Sequence, residues 1–241
     1  MEAYWEEEEM KRIERVKRVN IEAVKPIESR EELDKRLREE FPIFFIEMNG
    51  AQERFIRVKN RFGNTPKRRI LEAGNKVGKT QIALMEDLAH SFGFRPWLVP
   101  EDPDYKVEVK IPNIGMIGCE THKNSVKEKI EPTLRWMVPS LCQPIFKPGP
   151  TGVLMELTLP FTAKGGKCGS KIYIRSYNED KDSFEGIDYD WIHWDEPPPE
   201  DIFKAAERGK IVTNAPSWFS MTPLKEAWLY SKFSSRAAIL C

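Results

Sequence analysis

The sequence predicts an α/β domain with a mainly parallel sheet, flanked by helices and preceded by a helical extension. Three observations predict it. Short apolar strands alternate with amphipathic helices from residue 67 onward. A lysine-bearing glycine loop joins the first of these strands to the helix after it. A later strand of bulky apolar residues ends in two adjacent carboxylates. With 241 residues, 40% hydrophobic and 11% aromatic, the chain can bury the core such a domain needs.

Several classes are excluded. No stretch approaches 18 consecutive apolar residues, so no membrane span is expected. Residues 1–10 are acidic, unlike the basic-then-apolar start of a secretion signal. Cys119, Cys142, Cys168 and Cys241 form no closely spaced pair, and His90, His122 and His193 lie far apart. A zinc site or disulfide framework is therefore not expected, and a reducing compartment is the natural reading. The 38 basic and 38 acidic residues cancel but are segregated. Residues 1–49 hold ten basic and fourteen acidic residues, residues 53–81 nine and two, and residues 178–201 one and ten. Together the last two suggest an anion site facing a metal site, although any single charge run is more often a solvated face.

The elements follow in order. Residues 1–48 form the predicted extension. Met10, Ile13, Val16 and Val19 recur at three-residue spacing, as on a narrow helical stripe that ends at Lys25-Pro26. Ser29 reads as an N-cap with Glu32 as its capping-box partner, opening a second helix through Leu33 and Leu37 to about Glu40. These helices read either as an adaptor packing on the main domain, residues 49–241, or as a partner-binding arm, with packing favoured. Within it, residues 69–73 predict the first strand. Residues 80–92 predict a helix with Ile82, Met85, Leu88 and Ala89 on one face. Residues 114–119 predict the second strand, and residues 124–138 a helix broken or kinked at Pro132. Residues 171–177 and 190–194 predict the third and fourth strands, residues 200–208 a helix, and residues 211–221 strand pieces interrupted at Pro216. Residues 95–113, with four prolines, read as an inserted loop, and residues 144–170 as a hairpin excursion. The apolar run 237–240 either closes the sheet as a last strand or continues into a longer protein; the fragment reading is favoured.

The strongest chemical signal is Gly74-Asn75-Lys76-Val77-Gly78-Lys79-Thr80, followed by Gln81. A loop between a strand and a helix start is the setting of a phosphate-binding loop. Unpaired N–H groups at the helix start face phosphate oxygens, and Gly78 permits close approach. Lys79 is placed for the β and γ phosphates, and Thr80 to ligate Mg²⁺. The common pattern's first glycine is replaced by Ala73, with Gly74 displaced by one.

The second signal is Trp191-Ile192-His193-Trp194-Asp195-Glu196. It looks like a Walker B strand, with Asp195 holding Mg²⁺ through water and Glu196 taking a proton from the attacking water. Pro197-Pro198-Pro199 delays the next helix. A weaker signal is Gln52, within Asn49-Gly50-Ala51-Gln52, whose amide suits the adenine edge. Finally, Ser220-Met221-Thr222-Pro223 ends a late strand. Thr222 there can sense the γ phosphate and couple it to movement, or simply cap a helix with Pro223 in its first turn.

In this order, and with Ser183-Phe184-Glu185-Gly186 ahead of the Asp-Glu pair, the residues resemble the ATPase domain of the large terminase subunit of tailed bacteriophages over roughly residues 45–230. The resemblance implies a P-loop NTPase of the RecA/ASCE type that hydrolyses ATP with Mg²⁺ and pumps double-stranded DNA into a procapsid. It implies a portal, a small terminase subunit and ring-forming self-association as partners, and the cytoplasm of an infected bacterium as the place of action. Such chains usually continue into a ribonuclease H-type nuclease, for which there is no room after residue 223, so nuclease activity is not expected here. Lys76 matches an extra basic residue of the family's loop. Where many members carry an arginine before the pre-Walker B glycine, this chain has Glu185, which leaves Arg135, Arg175 and Arg208 as finger candidates. Lys123, Lys127 and Lys129 either contact DNA or decorate a helix, with decoration slightly favoured. The alternative is another P-loop nucleic-acid motor such as a superfamily 2 helicase, against which Pro197-Pro198 and the chain length argue. A small kinase would need a lid and a substrate site.

Overall fold

The structure is a computed structural model that describes residues 29–210, 213–222, 228–229 and 232, and the backbone of 238–240. The helix predicted over residues 10–19 and the position of Pro223 lie outside the described residues.

Helix α1 (Arg30–Glu40) is capped by Ser29, whose hydroxyl accepts from the Glu32 N–H. A 3₁₀ turn (Pro42–Phe44) and helix α2 (Gly50–Arg57) lead to strand β1 (Arg68–Glu72) and helix α3 (Lys79–Phe92). Then come β2 (Ile114–Cys119), a π-helix (His122–Ile130), α4 (Glu131–Met137), β3 (Ile145–Pro148), β4 (Leu154–Phe161), β5 (Lys167–Ser176), β6 (Trp191–Asp195), α5 (Glu200–Gly209), β7 (Ser217–Met221) and β8 (Ala238–Leu240).

The eight strands form one sheet in the order β3-β4-β5-β2-β6-β7-β1-β8. From β5 to β8 every pairing is parallel, whereas β3-β4 and β4-β5 are antiparallel. The hairpin expected over 144–170 thus extends the sheet itself. Residues 238–240 of the apolar run supply the edge strand β8 beside β1. All parallel strands end at one edge, so the loops after β1, β6 and β7 gather there, where α/β sheets bind ligands.

Two departures from the sequence reading have physical causes. The helix expected over 124–138 is a π-helix followed by α4, with Pro132 in the first turn of α4. A proline inside a continuous α-helix would clash with the carbonyl four residues back, but its missing N–H costs nothing in a first turn. Helix α3 is buried almost all round from Ile82 to Phe92, instead of along one stripe. It is covered by the sheet on one side and by α2 and α4 on the other.

The larger core cluster joins α3 to Leu37, Phe41, Ile43, Phe44, Phe55 and Ile56, so residues 37–44 pack on the sheet-bearing part of the chain. The second cluster lies against α5 and includes Ile192, Trp194, Ile202, Phe203 and Phe219. Alternation along β6 sends Trp191 into one cluster and Ile192 into the other. Two close approaches hold β6 against β2. A Cβ on Gly115 would meet Trp191 at 2.0 Å, and one on Gly118 would meet Trp194 at 2.5 Å, so both indoles require a bare β2 backbone.

Candidate active site

The loop between β1 and α3 begins where β1 leaves the sheet. Lys76 is left-handed, with φ 63°, and Gly78 caps α3 with φ 80°. Gly78 is required twice over. Its φ suits glycine, and a Cβ there would lie 2.5 Å from the Gln52 Nε2. Gly74 has nothing within 4 Å of an added Cβ, so packing does not require glycine at that position.

The Lys79 side chain folds back into this loop. Its Nζ donates to the carbonyls of Ala73 and Gly74 at 2.8 and 2.7 Å. Burial lowers its pKa, while the charges of Glu196 and Asp195 oppose the shift. The loop is held from outside by α2. Asn49 and Gln52 form a complete capping box at the start of α2. The Asn49 amide donates to the Val77 carbonyl at 3.2 Å, and the Gln52 amide donates to the Gly78 carbonyl at 3.0 Å. The Gln52 Oε1 accepts from the Asn49 N–H at 2.9 Å, so each end of this buried amide already has a protein partner.

Register brings the acidic pair to the loop. Asp195 ends β6 opposite Ser220 of β7 and Cys119 of β2. Its Oδ1 accepts from the Thr80 hydroxyl at 3.0 Å and the Ser220 hydroxyl at 3.1 Å. Thr80 and Asp195 are hard oxygen donors in contact, a pair that suits Mg²⁺. The next residue, Glu196, adopts φ 69°, a conformation costing a non-glycine residue about 1 kcal/mol or more. Its neighbours hold it there. The Glu196 N–H donates to the Ser220 carbonyl at 3.0 Å, and the Tyr177 hydroxyl donates to the Glu196 carbonyl at 2.6 Å. Both carboxylate oxygens are bound by Thr222, one by its N–H and one by its hydroxyl, each at 2.9 Å. The three prolines after Glu196 keep the chain out of helix until Glu200.

Lys79, Thr80, Asp195, Glu196 and Thr222, read from three separate motifs, are thus brought to one edge of the sheet. The family model for the N-terminal part of the T4likevirus-type terminase large subunit matches residues 70–238. The chain belongs to this terminase family. No curated protein matches it by sequence. Three solved structures share its fold. One is an ATPase-domain mutant of the Thermus phage P74-26 large terminase, with TM-score 0.56 and 18% identity over 80% of this chain and 72% of that one. Another is the large terminase of a thermophilic bacteriophage in complex with ADP, with TM-score 0.53 and 16% identity over 80% of this chain and 45% of that one. The third is the HK97 bacteriophage large terminase, with TM-score 0.52 and 17% identity over 81% of this chain and 39% of that one. The chain therefore spans less than half the length of the last two. The fold is the P-loop NTPase fold of terminase ATPase domains, as expected. No helix among the described residues is long and apolar enough to cross a membrane.

Asn75 lies beside Thr222, with its Oδ1 3.4 Å from the Thr222 hydroxyl. Lys76 and Val77 are exposed at the tip of the loop. Gln81 lines a cavity of about 310 Å³ with Arg38, Phe45 and Trp136. The three arginine candidates are engaged within the chain: Arg135 with Glu131, Arg175 with Glu179, and Arg208 with Glu185. Lys123, Lys127 and Lys129 are exposed on the π-helix. Sequence reasoning missed Tyr177, Asn49 as a loop support, and the buried pair Asp87 and His193. The Asn-x-x-Gln spacing was a readable capping signal. A lone histidine within an apolar strand signals only that it needs a partner.

Proposed function

We propose that this domain is the ATP-hydrolysing motor of a DNA-packaging terminase, coupling hydrolysis to translocation of double-stranded DNA into a procapsid. The supporting observation is the convergence of Lys79, Thr80, Asp195, Glu196 and Thr222 at the ends of β1, β6 and β7. In this reading the N–H groups from Gly74 to Gln81 cradle the phosphates of ATP, and Lys79 exchanges its loop carbonyls for β and γ oxygens. Thr80 and Asp195 hold Mg²⁺, which neutralises charge on the phosphate oxygens. Glu196 orients the attacking water and accepts its proton. Thr222 binds the carboxylate of Glu196, so a shift of Thr222 toward the γ phosphate frees the base and couples nucleotide state to the β7 loop. Gln52 contributes through Gly78, by fixing the loop. Residues 1–48 serve as an adaptor to the ATPase domain over residues 49–241.

The partners in this reading are double-stranded DNA, the portal of the procapsid, the small terminase subunit and further copies arranged in a ring. The place of action is the cytoplasm of an infected bacterium. The test measures ATP hydrolysis by the parent and by Lys79→Ala, with and without procapsids or small subunit. Stimulation of the parent alone supports the proposal. Hydrolysis that ignores both partners, or survives Lys79→Ala, overturns it.

A further inference from the structure

We infer that His193 is a positioning residue for Asp195, acting through Ser220 as the far end of a buried hydrogen-bond chain from Asp87. This rests on the reading of Asp195 as the Mg²⁺ ligand. Asp87 and His193 are fully buried, and Ser220 is 1% exposed. The His193 Nδ1 lies 2.8 Å from the Asp87 Oδ2, and its Nε2 lies 3.0 Å from the Ser220 Oγ. The Ser220 hydroxyl donates to the Asp195 Oδ1 at 3.1 Å, where the Thr80 hydroxyl also arrives. The other Asp87 oxygen accepts from the Trp218 indole at 3.1 Å.

Counting protons gives the chain a direction. The Asp195 carboxylate has no hydrogen to give, so the Ser220 hydroxyl spends its only hydrogen there. The His193 Nε2 must then be the donor to Ser220. One further proton is shared between His193 and Asp87, whose second oxygen is fixed by Trp218. The Nε2–H of His193 and the O–H of Ser220 therefore both point toward Asp195. The same count rules out a nucleophilic role for this Asp-His-Ser set, because the Ser220 hydroxyl donates to a carboxylate, not to the histidine, and is enclosed.

The placement also argues for the site. Thr80 and Asp87 are seven residues apart, two turns of α3, and so share one face. His193 and Asp195 share one face of β6, as Trp218 and Ser220 share one face of β7. Helix and strands thus meet as two rungs, Thr80 with Asp195 and Asp87 with His193, and Ser220 ties the rungs together. Apolar side chains would fill this volume at less desolvation cost. The neighbouring positions Trp191, Ile192 and Trp194 are filled that way. A buried polar chain that ends on one carboxylate fits the orienting of a metal ligand, whose outer partners typically carry 10- to 100-fold of metal affinity.

The experiment measures ATP affinity with and without Mg²⁺, and Mn²⁺ affinity by electron paramagnetic resonance, for the parent, His193→Asn, His193→Gln and Ser220→Ala. Asparagine reaches only toward Asp87, whereas glutamine places an amide N–H near the former Nε2. We expect His193→Asn and Ser220→Ala each to weaken Mn²⁺ 10- to 100-fold and to shrink the Mg²⁺ effect on ATP affinity. We expect His193→Gln to recover most of both. If His193→Asn does not fold, Ser220→Ala carries the same expectation. Parent-like metal affinity in Ser220→Ala, or in a folded His193→Asn, overturns the inference and leaves the Asp195 reading standing. A parent that binds ATP equally with and without Mg²⁺ overturns both.

Discussion

Glu86 and Lys79 sit two turns apart on α3, both inside the protein, and their partners differ in kind. Glu86 is fully buried between two guanidinium groups, Arg69 at 2.7 Å and Arg95 at 2.6 Å. Those arginines are held in turn, Arg69 over the rings of Phe55 and Trp218 and Arg95 by the Asp104 carbonyl. The two arginines hold the Glu86 carboxyl well below the usual carboxylate range despite its burial. Lys79 is matched by nothing so permanent. Its partners are two carbonyls of a partly exposed loop, and the nearby carboxylates are engaged by the hydroxyls of Thr80, Ser220 and Thr222 and by the Thr222 N–H. A charge closed in by fixed side chains serves the fold. A charge resting on exchangeable carbonyls is available to a ligand. The left-handed Lys76 and Glu196 lie at the second place, where the backbone is shaped by something other than stability.

The comparison is broken most directly at Glu86. Glu86→Gln leaves two buried guanidinium groups without their carboxylate, and should cost about 3–5 kcal/mol in a denaturant titration. A loss below about 1 kcal/mol would mean that the network is not structural. At the other place Glu196→Gln keeps the shape but removes the base. Turnover should fall about 10²- to 10⁴-fold with ATP binding kept, and normal turnover would sink the assignment of Glu196.

A pH series sharpens the contrast. Burial lowers the pKa of His90, beside Glu86, to about 4. Its unfolded pKa is about 6.5, so the unfolded chain takes up the proton first as pH falls. His90 therefore contributes stability above pH 6.5 that is lost as pH falls toward 4. Asp87, raised to about 6 by burial, works in the opposite direction. The difference between parent and His90→Gln isolates the first effect: the parent's stability should fall more steeply from pH 7 to pH 5. Parallel curves would show that His90 titrates normally. The smallest effect is expected at Gln52. Gln52→Ala removes one hydrogen bond to the loop, about 1 kcal/mol or fivefold in affinity, equally for ATP and GTP. A loss confined to ATP would show that Gln52 reads the base.

Much of this was legible in the sequence, and for identifiable reasons. Strand-helix alternation placed β1, α3, β2, β6 and α5 to within a few residues, because local periodicity reports which face is buried. The meeting of Lys79, Thr80, Asp195, Glu196 and Thr222 at one sheet edge was legible because their motifs fall at the start of α3 and at the ends of β6 and β7. The π-helix was not, since its wider winding leaves no periodicity of its own, and Pro132 lies after it in α4. Nor was the pairing of Asp87 with His193, 106 residues apart, or the contact of Gln52 with Gly78. Both are tertiary meetings of polar groups whose local sequence says only that partners are needed.

The central claim is that Lys79 belongs to a ligand and Glu86 to the fold. It is tested by titrating Mg-ATP into the parent and into Lys79→Ala, with thermal unfolding of both proteins measured without nucleotide. The account predicts that Lys79→Ala unfolds within a few degrees of the parent yet binds ATP far more weakly. Parent-like ATP affinity in Lys79→Ala, with the same unfolding temperature, would contradict it.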